Sequence, residues 1–186
     1  AQAHYKHHPY RLSMIGSHES VTRFDLDAVR AHHTRVVQGE NLVIGLSGDV
    51  DPEAVAEALS VRLEALPHGN FVQPTPPTEE PPDDIREVSL HKDRAQTHIV
   101  LGFRGLTVHD PDRHVLEVIA QLLAGQGGRL FLELRDRRSL AYSVSASNLE
   151  GVAPGFFSVY IATAPEKANA ARDGILEQLE RVIAEA

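Results

Sequence analysis

The sequence predicts an α+β fold, a mixed, mostly antiparallel sheet with helices packed on it. Three observations carry this. Residues 155–163, GFFSVYIAT, alternate cleanly and place Phe157, Val159 and Ile161 on one face of a strand. Residues 115–123 and 168–183 instead carry apolar stripes at helical spacing. Glycine and proline punctuate the joins so that neighbouring strands can pair as hairpins.

The elements follow in order. In AQAHYKHHPYRLSMIG, His4, His7 and His8 would share a helical face and a metal-ligand spacing, but Pro9 disfavours helix at His8 and a terminus is expected to be mobile. A solvated histidine cluster is the plainer alternative to a metal site. Helix character begins at Ser17, and Asp25 is placed to cap a helix over 26–36 whose stripe is Val29, His32, His33 and Val36. His32 and His33 are adjacent and cannot both point into one metal site. Residues 41–50, NLVIGLSGDV, read as a largely buried strand. Asp51-Pro52-Glu53 then supplies a cap, an N1 proline and an early acid to a helix striped by Val55, Ala58, Leu59, Leu63 and Leu66. An anion at that strand–helix junction would be repelled by Asp49 and Asp51.

Residues 67–84 hold six prolines and four acids, the composition of an extended linker. Beyond it, Val88 and Leu90 alternate, and THIVLGF at 97–103 is a second strand, so the two are expected to pair around Lys92-Asp93-Arg94. Asp110-Pro111-Asp112 repeats the helix-start signal for the stripe Val115, Val118, Ile119, Leu122, Leu123, which ends at Gly125. Leu130, Phe131 and Leu134 continue at helical spacing. From Leu140 the pattern becomes a strand, with Tyr142, Val144 and Ala146 on one face, paired through Gly151 and Pro154 to residues 155–163. Pro165-Glu166 opens the last helix, striped by Ala168, Ala171, Ile175, Leu179, Val182 and Ile183.

Charge and composition narrow the function. A formal charge of −8 and a pI near 5.7 argue against nucleic acid or an anionic membrane as partner. No apolar run is long enough to span a bilayer and no signal peptide is visible, so a soluble protein of bacterial cytoplasm or periplasm is expected. Zero cysteines exclude disulfides and thiolate metal sites. With no initial methionine and an end inside a helix, the chain reads as a piece of something longer. His-x-x-Glu-His, His-Glu-x-x-His, a P-loop and a nucleophile elbow are all absent, and the glycines at 125–128 follow a helix, so a dinucleotide fingerprint fails its context test. What remains is a glycine-rich turn, Gly125, Gln126, Gly127 and Gly128, then Arg135 and Tyr142. Arginine's rigid fork and tyrosine's hydroxyl could grip a peptide main chain or a developing oxyanion. On pattern alone the plainer alternative is a solvated helix face, 135–138, neutralised by Glu133 and Asp136, with Tyr142 packing across strands.

The segments GQGGRLFLELRDRRSLAYSVSA, EGVAPGFFSVYIAT and PEK, with HPYRLSMIG and ENLVIGLSGDVDPEAV before them, resemble the C-terminal type of domain in the M16 family of zinc metallopeptidases, the insulinase, pitrilysin and mitochondrial processing peptidase group. The resemblance covers nearly the whole chain, and its R-x6-Y spacing is fairly specific. It implies a layered domain that is proteolytically inactive alone and faces a zinc-bearing partner domain across a cavity. In such a domain Arg135 and Tyr142 would hold peptide substrate and Gly125, Gln126, Gly127 and Gly128 would line the cavity. No catalytic residue or metal ligand is expected in this chain; zinc is expected in the other domain of a longer protein. Ser139 stands where that family commonly has glycine. The resemblance further implies that residues 1–67 end one repeat, 68–85 form the linker, and 86–186 start the next, which strand 41–50 could complete into one compact unit that dimerises through open strand edges. The rival reading is a catalytically inert binding or assembly module of the same fold.

Overall fold

The computed structural model describes residues 3–69 and 71–185. They fall into two compact units, His7–Glu79 and the residues from Glu80 onward, the latter joined by the segment ending at Lys6.

The first unit is helical. Ser17 caps α1 (His18–Thr22) with a reciprocal bond to Ser20. Asp25 caps α2 (Leu26–Val36) by accepting the Ala28 N–H at 2.7 Å. Asp51 accepts from Glu53 and Ala54 at the start of α3 (Pro52–Leu63), with Pro52 in the first turn. None of the three helices contains a buried residue.

Residues 42–50 are not the expected strand. They carry no regular structure and expose their apolar side chains, Val43 at 92%. A strand exists only through ladder bonds to a neighbour, and among the described residues the sheet consists of three other strands.

The second unit holds that sheet, in order β1–β3–β2, with β1 Thr97–Arg104, β2 Ser143–Leu149 and β3 Phe156–Thr163. Both pairings are antiparallel. The expected partner of β1 was the segment around Val88 and Leu90; instead those residues are irregular and exposed, and β1 pairs with β3. Lys92-Asp93-Arg94 offers no glycine or asparagine for a tight hairpin turn. Ile99 and Leu101, by contrast, lie opposite Ile161 and Val159 in register. The β2–β3 hairpin forms as expected, though β2 begins at Ser143 rather than Leu140.

Helix α4 (Arg113–Leu123), a π-helix (Phe131–Arg137) and α5 (Ala168–Ala184) pack on the sheet through a core of Ala120, Leu123, Leu130, Leu134, Phe157, Val159, Ile161, Ala171 and Ile175. α4 starts later than its Asp-Pro-Asp signal suggests. Asp110 accepts the Asp112 N–H to make a turn, and Asp112 caps without a side-chain bond. The far ends of two predicted stripes stay exposed: Val115 and Val118 on α4 and Ile183 on α5. The amino-terminal segment is not loose either. Tyr5 is buried and donates its hydroxyl to the Pro154 carbonyl at 3.0 Å, while the His4 ring packs against Tyr5 and Phe156.

Candidate functional site

The site is built where α4 hands over to the π-helix and the π-helix to β2. α4 ends on Ala124, whose N–H reaches the Ala120 carbonyl at 2.8 Å, and Gly125 follows at φ 75° in the left-handed region. Gln126 and Gly127 are exposed, and Gly127 has open space around it. Gly128 is different. It is buried, and a Cβ there would run into the carbonyls of Leu123 and Ala124, so this glycine permits a tight chain reversal.

The turn leads into a wide helical coil of seven residues, a form rare in proteins and frequent at functional sites. Leu130 and Leu134 bury one side of it completely. Gly174 of α5 lets the two helices approach: a Cβ there would press on Leu134 at 2.7 Å. The opposite side carries the charges, and ion pairs fasten most of them. Arg138 makes two 2.7 Å bonds to the Glu177 carboxylate, which raise the guanidinium's pKa and hold Glu177 below the ordinary glutamate value. Arg137 pairs with Glu133 at 2.5 Å, and Arg181 of α5 approaches the same carboxylate at 3.7 Å. Arg129 lies 2.7 Å from Glu185, whose carboxyl is held low chiefly by its bond to Arg181 and further by Arg129.

Among the arginines of this segment Arg135 is the exception. Among the described residues no carboxylate pairs with it; its guanidinium lies over the Phe131 ring, 4.7 Å from the centroid. The stack restricts the side chain without occupying its in-plane N–H donors. Tyr142 sits just before β2, its N–H bonded to the Ala162 carbonyl at 2.8 Å and its side chain 73% exposed. It does not pack across the strands. Arg135 and Tyr142 thus occupy the two ends of one short connection, both fixed in the backbone and both open at the side chain. Such a pair can donate to carbonyl or carboxylate oxygens.

Two further residues shape the site. Phe131, expected on an apolar stripe, stands at i, i+4 from Arg135, the spacing that brings ring and guanidinium together. Gly174 interrupts the apolar stripe of α5 at the point where Leu134 approaches. The histidines are employed elsewhere: the His8 ring accepts the Tyr10 N–H at 3.1 Å, and Nδ1 of His32 lies 3.0 Å from Arg35. Among the described residues no group of three or more His, Asp or Glu converges as a metal site. No described helix is long and apolar enough to cross a membrane.

The chain is similar to known proteins. The chain is 27% identical over 183 residues to the zinc protease PqqE of Helicobacter pylori, covering 96% of this chain and 41% of that protein. It is 30% identical over 185 residues to the uncharacterized zinc protease Rv2782c of Mycobacterium tuberculosis, 91% of this chain and 42% of the relative. Among solved structures, a protease from Helicobacter pylori superposes with a TM-score of 0.87 at 26% identity, over 95% of this chain and 44% of that one. A peptidase M16 inactive domain from Pseudomonas fluorescens does so at 0.77 and 27%, over 96% and 44%. The chain therefore spans less than half the length of these relatives. Residues 23–186 match the family model described as the peptidase M16 inactive domain, and the chain belongs to that family as a domain of its inactive type.

Proposed function

We propose that this domain holds peptide substrate for a zinc-dependent peptidase, as the partner of a metal-bearing domain in a longer protein. The observation that carries the reading is the contrast along one helical segment: Arg137 and Arg138 are spent on Glu133 and Glu177, while Arg135 stacks on Phe131 with no carboxylate partner among the described residues, and Tyr142, seven residues on, is exposed. The relatives bear the name zinc protease, and among the described residues of this chain no three metal-ligating side chains converge, a pattern compatible with a division of labour between domains. Here Arg135 would hold a main-chain carbonyl of the peptide. The Tyr142 hydroxyl would donate to an oxygen gaining charge as the scissile carbonyl is attacked. Gly125, Gln126 and Gly127 would line the adjoining cavity, with Gly128 shaping the turn behind them. Beyond the peptide, the partner is that zinc-bearing domain, in the same protein or another subunit; a homodimer through the sheet's edges is a further proposal.

The test is peptide hydrolysis by the full-length protein. Removing one such donor costs about 10²-fold or more in turnover, so Arg135→Gln and Tyr142→Phe should each lower kcat by about that factor without altering the melting temperature. Unchanged hydrolysis in both would favour an inert binding or assembly module.

A further inference from the structure

Lys167 occupies a position its own helix does not favour. It lies in the first turn of the helical run that starts at Pro165 and continues into α5. A cation at that end opposes the helix dipole, and α5 has no side-chain cap there, where serine or aspartate would satisfy a free N–H. The ammonium serves another helix instead. It donates to the main-chain carbonyl of Ser139 at 3.1 Å, 28 residues earlier. Ser139 follows Arg138, the C-cap of the π-helix, and a positive charge is favoured at that carboxyl end.

Ser139 is also the one non-glycine residue with positive φ among those described, at 51°. That conformation costs an L-residue about 1–2 kcal/mol, so something must hold it. The bonds around it act on its neighbours: Arg138 is clamped by Glu177, Leu140 N–H reaches the Leu134 carbonyl at 2.7 Å, and Tyr142 N–H reaches Ala162 at 2.8 Å. The Ser139 N–H bonds back to the Arg135 carbonyl at 3.1 Å, within the same turn. Lys167 is the side chain that grips the strained residue's carbonyl from outside.

We infer that Lys167 is a positioning residue that fixes Arg135 relative to Tyr142 by pinning the left-handed turn at Ser139. This rests on the reading that the pair grips peptide. Lys167 acts through the backbone between them, at the Ser139 carbonyl. The same reasoning assigns a coupling: with glycine at 139 the left-handed conformation is free of the side-chain penalty, and the pin matters less.

The experiment uses the full-length protein with Lys167→Met, Lys167→Arg, Ser139→Gly and the Ser139→Gly/Lys167→Met double variant. Lys167→Met keeps the stem and removes the donor. It should speed amide exchange across residues 138–142 about tenfold and lower kcat for peptide hydrolysis about tenfold with KM little changed. Its melting temperature should stay within about 2 °C of wild type. Lys167→Arg should restore both readouts, and the double variant should recover most of the loss. Wild-type exchange in Lys167→Met overturns the inference, as does faster exchange with wild-type turnover while Arg135→Gln is impaired. If Arg135→Gln and Tyr142→Phe themselves turn over normally, the inference falls with its premise, and the exchange data show whether the pin exists without that role.

Discussion

Helices α2 and α4 are each eleven residues long, yet they end differently. α2 has the better start, an aspartate cap with a 2.7 Å bond, and buries nothing. α4 has no side-chain cap and buries Ala120 and Leu123 against the sheet. Local signals decide where a helix begins; whether it has a core is decided by residues far away in sequence. Among the described residues the first unit is thus a set of well-specified helices that bury no side chain, and the second a less well-signalled set around a buried cluster.

The largest expected effect exploits this contrast. Leu134→Ala removes a fully buried side chain and should cost about 2–5 kcal/mol in chemical denaturation, whereas Val29→Ala on α2, 56% exposed, should stay within about 0.5 kcal/mol. Equal losses would mean that α2 is covered in solution. Amide exchange gives the next effect: β3, central in the sheet, should be the slowest segment, and α2 and α3 should exchange orders of magnitude faster.

A smaller effect concerns the Arg138–Glu177 clamp. The Glu177 carboxyl is depressed by Arg138, so its stabilisation is full above the unfolded glutamate value of about 4.3 and is lost as pH falls through the lower folded value. Glu177→Gln should therefore narrow the gap to wild type only in acid; a gap that instead vanished toward neutral pH would contradict the pairing. The smallest is Ser139→Gly, which should raise stability by about 0.5–1 kcal/mol. A loss of stability would show that φ 51° is not a strained state there.

Much of this was legible because it is local. Asp25, Asp51 and Gly125 announced helix ends through single side chains and single dihedral angles. The β2–β3 hairpin was legible because its arms are neighbours with strict alternation. Residues 41–50 and 85–90 misled for one reason: apolar content marks a segment that could pair, and a ladder partner is a property of the whole fold. At the site, residue types and the R-x6-Y spacing drew attention to Arg135 and Tyr142. What the sequence left open was which arginine is free. Glu133 sits four residues from Arg137 and was visible as a partner, but Glu177 is 39 residues from Arg138, a pairing that only the packing of α5 on the π-helix creates. Ser139 looked like a small departure from a common glycine, whereas the backbone shows it holding a conformation glycine would hold more easily.

The central claim is that Arg135 is the arginine of this segment reserved for a ligand. The most direct measurement is the affinity of the full-length protein for a non-hydrolysable peptide, compared between Arg135→Gln and Arg137→Gln. Arg135→Gln should weaken binding about tenfold or more, and Arg137→Gln, whose charge is spent on Glu133, should leave it within about twofold of wild type. Equal affinities for the two variants would contradict the account.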